Sequence, residues 1–301
     1  MFKNILYYGD NLKVLRNEIS DNFVDLIYLD PPFNSSKTYN QIFSENGIKS
    51  GAQIKVFEDT WKWDNETERT YLETITHCGN MRVSRYLISM RDFLGTNNMM
   101  AYLTMMTPRL IELHRVLKST GSLFLHCDPC TSHYLKLLLD AIFGFKSFKN
   151  EIIWCYRQGG RSKRYFARKH DVIFFYTKSE TNNYYFNADN ARIAYHGTGG
   201  YVNNNNGNVV NGKRYKPNLK GKIREDWWDI PALTPTDKER VGYPTQKPLA
   251  LLDQIILATT KEGDIVLDPF CGCGTTIDSA EKLERKWIGI DVTHIAIKII
   301  K

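Results

Sequence analysis

Two short β-rich apolar runs near the start, NILYYG (residues 4–9) and FVDLIYL (23–29), are separated by one helical-period segment, LKVLRN. A parallel strand pair needs such a crossover, whereas an antiparallel pair needs only a tight turn, so the spacing reads as the opening of a parallel α/β sheet. The next roughly sixty residues are less regular. Apolar residues then fall at helical spacing from Ala101 to Lys118, Gly121 breaks the pattern, and SLFLH (122–126) reads as a strand. A helix over about 131–143 and two strands, EIIWCY (151–156) and DVIFFYT (171–177), follow. From about 180 to 240 the character changes to Asn, Gly, Tyr and basic residues, with the loop-like tract NNNNGNVVNG. The regular pattern then resumes with helix PLALLDQIILATT (248–260), strand DIVLD (264–268), helix TTIDSAEKL and strand WIGID (287–291). The final HIAIKIIK is apolar-periodic without a Gly, Asn or Pro stop signal, so the sequence is expected to be a fragment or unusually short at this end.

At 301 residues the chain can form one large α/β domain with an insert. No run approaches the roughly 18 apolar residues of a membrane span, and the first residues lack a signal-peptide pattern, so a soluble cytoplasmic protein is expected. The six cysteines, Cys78, Cys127, Cys130, Cys155, Cys271 and Cys273, follow no disulfide framework and are expected to be free thiols. Charge matters by its location. Fourteen basic residues lie between Arg157 and Arg224 against three acids, an excess of +11 in a chain whose net charge is +7. Two basic clusters sharing one segment point to phosphate contacts on a polyanion rather than to a solvated face.

Two loops carry chemistry. Asp30-Pro31-Pro32-Phe33 follows a predicted strand, where ligands of open α/β sheets bind, and the two prolines stiffen it. Such a loop suits methylation of an amide-like amino nitrogen. Asp30 and the Pro31 carbonyl can accept its two N–H bonds, and Phe33 can stack on a base turned out of a duplex. A proline-rich turn with a helix cap is the other reading of the same residues. The second loop, DPFCGCGTT (268–276), lies between a strand and a helix. Gly272 and Gly274 allow close backbone approach there, and Thr275 opens the helix. Asp291, 23 residues after Asp268, ends the next strand where dinucleotide folds place a ribose-binding acid. The spacing departs from GxGxxG, which a cofactor without phosphates does not need.

DPPF, DPFCGCGTT and YPTQKP (243–248) together resemble the β group of DNA amino-methyltransferases, in which the catalytic loop precedes the cofactor loop. The similarity covers almost the whole chain, including GDNLKVL, FEDTWKW, RVLKSTGSLFLHCDP and KHDVIFFYTKS, and leaves out about 180–225. The resemblance implies a doubly wound, Rossmann-like S-adenosylmethionine methyltransferase fold, circularly ordered. Residues 1–156 would be the catalytic half, 157–225 the inserted target-recognition region and 226–301 the cofactor half. It implies Asp30, Pro31, Pro32 and Phe33 as the catalytic loop, Asp268 near the methionine ammonium, and Phe270, Gly272, Gly274 and Thr275 around the cofactor. Asp291 would bind the ribose, and Thr245, Gln246 and Lys247 would close over the methionine end. Asp10 would lie near the target base, while the concentration of positive charge marks Arg157, Arg161, Lys163 and Arg164 as the expected DNA contacts. Asp as the first loop residue resembles the adenine-N6 branch, with cytosine-N4 transfer, RNA methylation or a non-catalytic DNA-binding subunit as alternatives. Expected partners are double-stranded DNA, a second copy and a cognate restriction endonuclease.

Other residues read as structural. His126, Cys127, Cys130 and His133 lack a second CxxC for a closed zinc set, and Asp128-Pro129 reads as a helix start. Cys271 and Cys273 read as small residues in a tight turn. Trp61, Trp63, Trp227 and Trp228 read as packing residues, with Trp61 and Trp63 also candidates for a lid.

Overall fold

The computed structural model describes residues 3–32, 37–45, 48–59, 61–157, 162–195, 208–210, 212–215, 218–243 and 245–300; for 37–45, 48–59, 208–210 and 215 it describes the backbone alone. The chain opens with β1 (Ile5–Tyr8), α1 (Asn11–Glu18) and β2 (Val24–Leu29). The stretch without a regular sequence pattern holds a hairpin, β3 (Lys37–Glu45) and β4 (Ile48–Asp59), then α2 (Asn65–His77) and α3 (Met81–Leu94). Asp64 and Asn80 cap the two helices by accepting the N–H of Thr67 and of Arg82. Next come α4 (Asn98–Val116), β5 (Leu117–Cys127), α5 (Ser132–Phe143), β6 (Phe148–Cys155) and β7 (His170–Thr177). Four short strands follow, β8 (Arg192–Ile193), β9 (Asn208–Val210), β10 (Lys213–Tyr215) and β11 (Lys222–Ile223), and then β12 (Trp227–Asp229). The last quarter is α6 (Leu249–Thr259), β13 (Ile265–Asp268), α7 (Thr275–Lys282), β14 (Lys286–Asp291) and α8 (His294–Ile300).

Eight strands form one sheet in the order β1-β14-β13-β2-β5-β7-β6-β12. All neighbouring pairs are parallel except β5–β7 and β6–β7, so only β7 runs against the rest. Period-two alternation splits each strand between two cores. Ile27, Leu29, Leu123, Leu125, Phe174 and Leu267 face α1 to α5, while Leu26, Tyr28, Phe124, Phe175 and Val266 face α6 and α7. The fold is therefore a three-layer, doubly wound, mostly parallel α/β sheet, as the sequence predicts. β12 adds an eighth strand at the edge beside β6, too short to leave a strand pattern in the sequence. β7 lies inside the span 157–225 yet is an integral strand of the sheet, so that span is two excursions around a structural strand rather than one continuous insert. Among the described residues, no helix is long and apolar enough to cross a membrane.

Candidate active site

Asp30 follows β2, Asp268 ends β13 and Asp291 ends β14, so three acids stand at the carboxyl edge of adjacent strands. The chain leaves β13 into α7 on one face, and leaves β2 toward the helices of the other face. A crevice opens where connections diverge in this way. It holds a cleft lined by all three acids, Pro31, Pro32, Tyr28, Tyr243, Phe270, Gly272, Thr275 and the segment 245–247. Phe33, expected here, lies outside the described residues.

The Asp30 carboxylate is ion-paired through Oδ2 with the Lys247 ammonium. The two side chains are 19% and 10% exposed, so the pair is largely screened from water. Lys247 also donates to the Thr245 carbonyl at 3.3 Å. Thr245 holds a φ of 64°, a region that costs a β-branched residue on the order of 1–3 kcal/mol and persists only where its surroundings fix it. Gln246 supplies part of that fixing, accepting the Val241 N–H at 2.9 Å and donating to the Glu239 carbonyl at 2.7 Å. Glu239 in turn accepts the Leu249 N–H at 3.2 Å, at the start of α6. Lys247, expected at the cofactor's methionine end, is thus the partner of the Asp30 carboxylate.

Asp268 is buried and accepts the Phe270 N–H at 3.0 Å. Burial pushes its carboxyl up to about 7, against the lowering effect of the Thr276 and Phe270 bonds, and the charges of Asp30 and Asp291 push the same way. Asp291 accepts the Gly272 N–H at 2.9 Å and the N–H and hydroxyl of Thr293 at 2.7 Å each. Burial nevertheless raises its carboxyl above the usual range. Gly272 has φ 50°, and a Cβ there would meet the Tyr243 ring at 3.3 Å. Gly274 caps α7 with φ 87° and does not line the cleft; its Cβ would meet Ile300 at 2.7 Å.

Behind the cleft lies a buried network that the sequence did not reveal. Tyr28 Oη and His126 Nδ1 share a hydrogen bond of 2.9 Å, and His126 Nε2 stands 3.2 Å from Asp171. Burial raises the Asp171 carboxyl, but bonding to His126 and the Lys247 charge prevail and hold it below its ordinary value. His126, weighed in sequence as a metal ligand, is thus bonded to Tyr28 and Asp171, on β2 and β7. Cys127 and Cys271 are buried, and burial drives both thiols far above the ordinary value.

Several expected site residues stand apart from the cleft. Asp10 caps α1 through the Lys13 N–H at 3.1 Å and is ion-paired with Arg109 at 2.7 Å. Arg157 is paired with Asp229, tying the end of β6 to the end of β12. Lys163 and Arg164 are exposed on the loop 156–169, which joins the carboxyl end of β6 to β7. Arg161 lies outside the described residues. Trp228 packs in the core beside α6, and Trp63 is bonded to Glu68; Trp227, expected to pack, is 58% exposed.

A profile of the family described as DNA methylase, N6_N4_Mtase, matches residues 24–301. Among curated proteins the chain is 28% identical over 298 residues to Type II methyltransferase M.HpaI of Haemophilus parainfluenzae, covering 98% of this chain and 72% of that protein. It is 28% identical over 297 residues to DNA adenine methyltransferase YhdJ of Escherichia coli (strain K12), covering 98% and 80%. Solved structures sharing the fold include the M1.HpyAVI-SAM complex, with TM-score 0.53, 18% identity and coverage of 99% and 97%. PvuII DNA methyltransferase (cytosine-N4-specific) aligns with TM-score 0.58, 14% identity and coverage of 97% and 83%.

Proposed function

Since the chain belongs to the DNA methylase family N6_N4_Mtase, we propose that it transfers a methyl group from S-adenosylmethionine to N6 of adenine in duplex DNA, with the target base rotated out of the helix. The observation that carries this reading is Asp30, held by Lys247 in a cleft that also contains Asp268 and Asp291. Three carboxylates repel a phosphate-bearing cofactor and favour a cationic one with hydroxyl and ammonium donors. S-adenosylmethionine fits that donor set: Asp268 would hold the ammonium, Asp291 the ribose hydroxyls, and Phe270 and Tyr243 the adenine ring. When bound it supplies an electrophilic methyl group.

The rest of the chemistry belongs to this chain. An exocyclic amino group is a weak nucleophile because its lone pair is delocalised into the ring. Lys247 engages Oδ2 of Asp30, and Oδ1 is the oxygen that would accept the amino N–H and hold the proton released as the N–C bond forms. Pro31, buried at the loop base, fixes a backbone carbonyl for the second N–H. Asp as the first loop residue and the adenine activity named for YhdJ both favour adenine over cytosine. Target recognition falls to residues 157–225, with β7 as the anchor between its two parts.

Labelled S-adenosylmethionine offered with duplex DNA, RNA and protein in parallel tests this reading. Label should pass to DNA, and mass spectrometry of the digested product should find N6-methyladenine. N4-methylcytosine would overturn the base assignment, and label in RNA alone would overturn the substrate.

DNA affinity should also fall steeply with salt, by a log–log slope of about −0.9 per phosphate neutralised. Lys163, Arg164 and Arg168 are exposed on the carboxyl-edge loop. Replacing all three with Ala should flatten the slope by roughly 2–3 units without altering cofactor affinity, as measured by fluorescence anisotropy across a salt series. An unchanged slope would remove this loop from the DNA contact.

A further inference from the structure

The loop 156–169 carries six basic residues and no acid, and in its second half stand two adjacent aromatic residues, Tyr165 and Phe166. Phe166 is 99% exposed and Tyr165 67%. An aromatic ring in full contact with water gains nothing from packing, and its position decides what it is for. Phe145 is also 69% exposed, but it precedes β6 and so lies at the opposite edge of the sheet from the cleft. Phe166 belongs to a loop rooted on the carboxyl edge. Cys155 pairs with His170 at its base, and the Tyr156 N–H donates to the Lys169 carbonyl at 3.1 Å. Arg168 reaches Cys130 Sγ at 3.7 Å, beyond the end of β5.

The described part of the loop is braced from within. Ser162 Oγ accepts the N–H of Arg164 at 3.2 Å and of Tyr165 at 3.1 Å, and the Arg168 guanidinium stands 5.6 Å from the Tyr165 ring centroid. Tyr165 is thereby tied to the loop, and Phe166 projects. The loop's parent strands β7 and β6 stand two and three places from β2 in the sheet. At the usual strand spacing this puts its root about 10–15 Å from Asp30. That is the scale of the major groove, about 12 Å wide.

Resting on the base-rotation reading above, we propose that Phe166 is a wedge that enters the duplex stack where the target base leaves it. Rotating a base out forfeits its stacking on both neighbours and leaves a gap. An apolar ring inserted between base steps restores part of that stacking and blocks the return path. Lys163, Arg164 and Arg168 flank the ring and hold the phosphates on either side of the gap. The wedge contributes only where a stacked, paired base has to be displaced, and this sets its test apart from that of a general DNA contact.

The methylated site is first located by sequencing DNA modified by the wild-type protein. Phe166→Ala and Phe166→Trp are then compared on a duplex with the target paired and on one with the target mismatched. Phe166→Ala should lower kcat/KM on the paired duplex by about 5- to 100-fold, the range of one base–aromatic stack, and by much less on the mismatched one. Fluorescence of 2-aminopurine at the target position should rise less on binding than with the wild type. Phe166→Trp should restore both readouts. So exposed a side chain leaves folding untouched, and cofactor affinity and melting temperature should match the wild type. A Phe166→Ala protein that equals the wild type on the paired duplex, or loses the same factor on both duplexes, overturns the wedge alone. A wild-type protein that methylates both duplexes with no rise in 2-aminopurine signal overturns base rotation and the wedge together.

Discussion

Asp30→Asn is expected to slow methyl transfer by about 10²- to 10³-fold in single-turnover measurements while S-adenosylmethionine binds with a dissociation constant near the wild-type value. The expectation follows from the separation of the two loops. Asp30 comes from the end of β2, whereas the expected cofactor contacts Asp268, Phe270 and Asp291 come from the ends of β13 and β14 and the turn from β13 into α7, and Lys247 is the expected contact that pairs with Asp30. The amide keeps the shape of the side chain and one acceptor oxygen but cannot hold the released proton. Asn is the cleaner substitution because Asp30 is also half of an ion pair with Lys247. Removing one partner of a fully buried pair costs about 3–5 kcal/mol, and somewhat less here because Asp30 retains some contact with water. Asp30→Ala should therefore lower the melting temperature as well as the rate, and Asp30→Asn chiefly the rate. If the Asn variant turns over at close to the wild-type rate, the loop is only a proline-stiffened turn and the proposed mechanism falls.

The affinity for S-adenosylmethionine should weaken about tenfold between pH 8 and pH 6, and about a hundredfold by pH 5. Its origin is Asp268, whose carboxyl burial pushes up to about 7, with Asp30 and Asp291 adding repulsion. An ammonium group binds the carboxylate and not the acid, so below pH 7 each binding event must first expel a proton. Calorimetry in two buffers of different ionisation enthalpy should register that proton, and Asp268→Asn should give weaker binding without this pH dependence. Folding has the opposite sign. The folded chain holds this proton more tightly than the unfolded chain, where the carboxyl titrates near its ordinary 3.8. Stability from the neutral form is complete below pH 4 and is lost as pH rises through about 7, so the free protein should be more stable at pH 6 than at pH 8 with respect to this group. Wild-type binding that stays constant from pH 5 to 8 would remove Asp268 from the ammonium site.

The sheet and the two loops were legible because strands buried on both faces leave uninterrupted apolar runs, and Asp30 and Asp268 stand at their ends. Much of the remainder was hidden for specific reasons. β3 and β4 alternate polar and apolar residues with many polar interruptions and no long apolar run. The available signal was the Asn46-Gly47 dipeptide between Glu45 and Ile48, a strong hairpin marker. The helices α2 and α3 carry their signals at the caps Asp64 and Asn80 rather than in a strong apolar stripe. The pair Asp30–Lys247 spans 217 residues, and no local pattern encodes such a meeting. His126 drew attention for its neighbouring cysteines, whereas its partners arrive from β2 and β7, which only the sheet order reveals.

That sheet order also bears on how the molecule is made. One of the two neighbours of β2 is β13, with Leu26 opposite Val266, made 240 residues later. Until the last quarter of the chain is synthesised, β2 presents a bare edge in what becomes the middle of the sheet, and pairings of such long separation form slowly. A nascent chain can thus hold the Asp30 loop without the Lys247 that accompanies it or the acids of β13 and β14. On the proposed site, methylating capacity needs the segment that carries Lys247, Asp268 and Asp291, so a polypeptide stopped before Ile265 should be both catalytically silent and open to strand-edge aggregation.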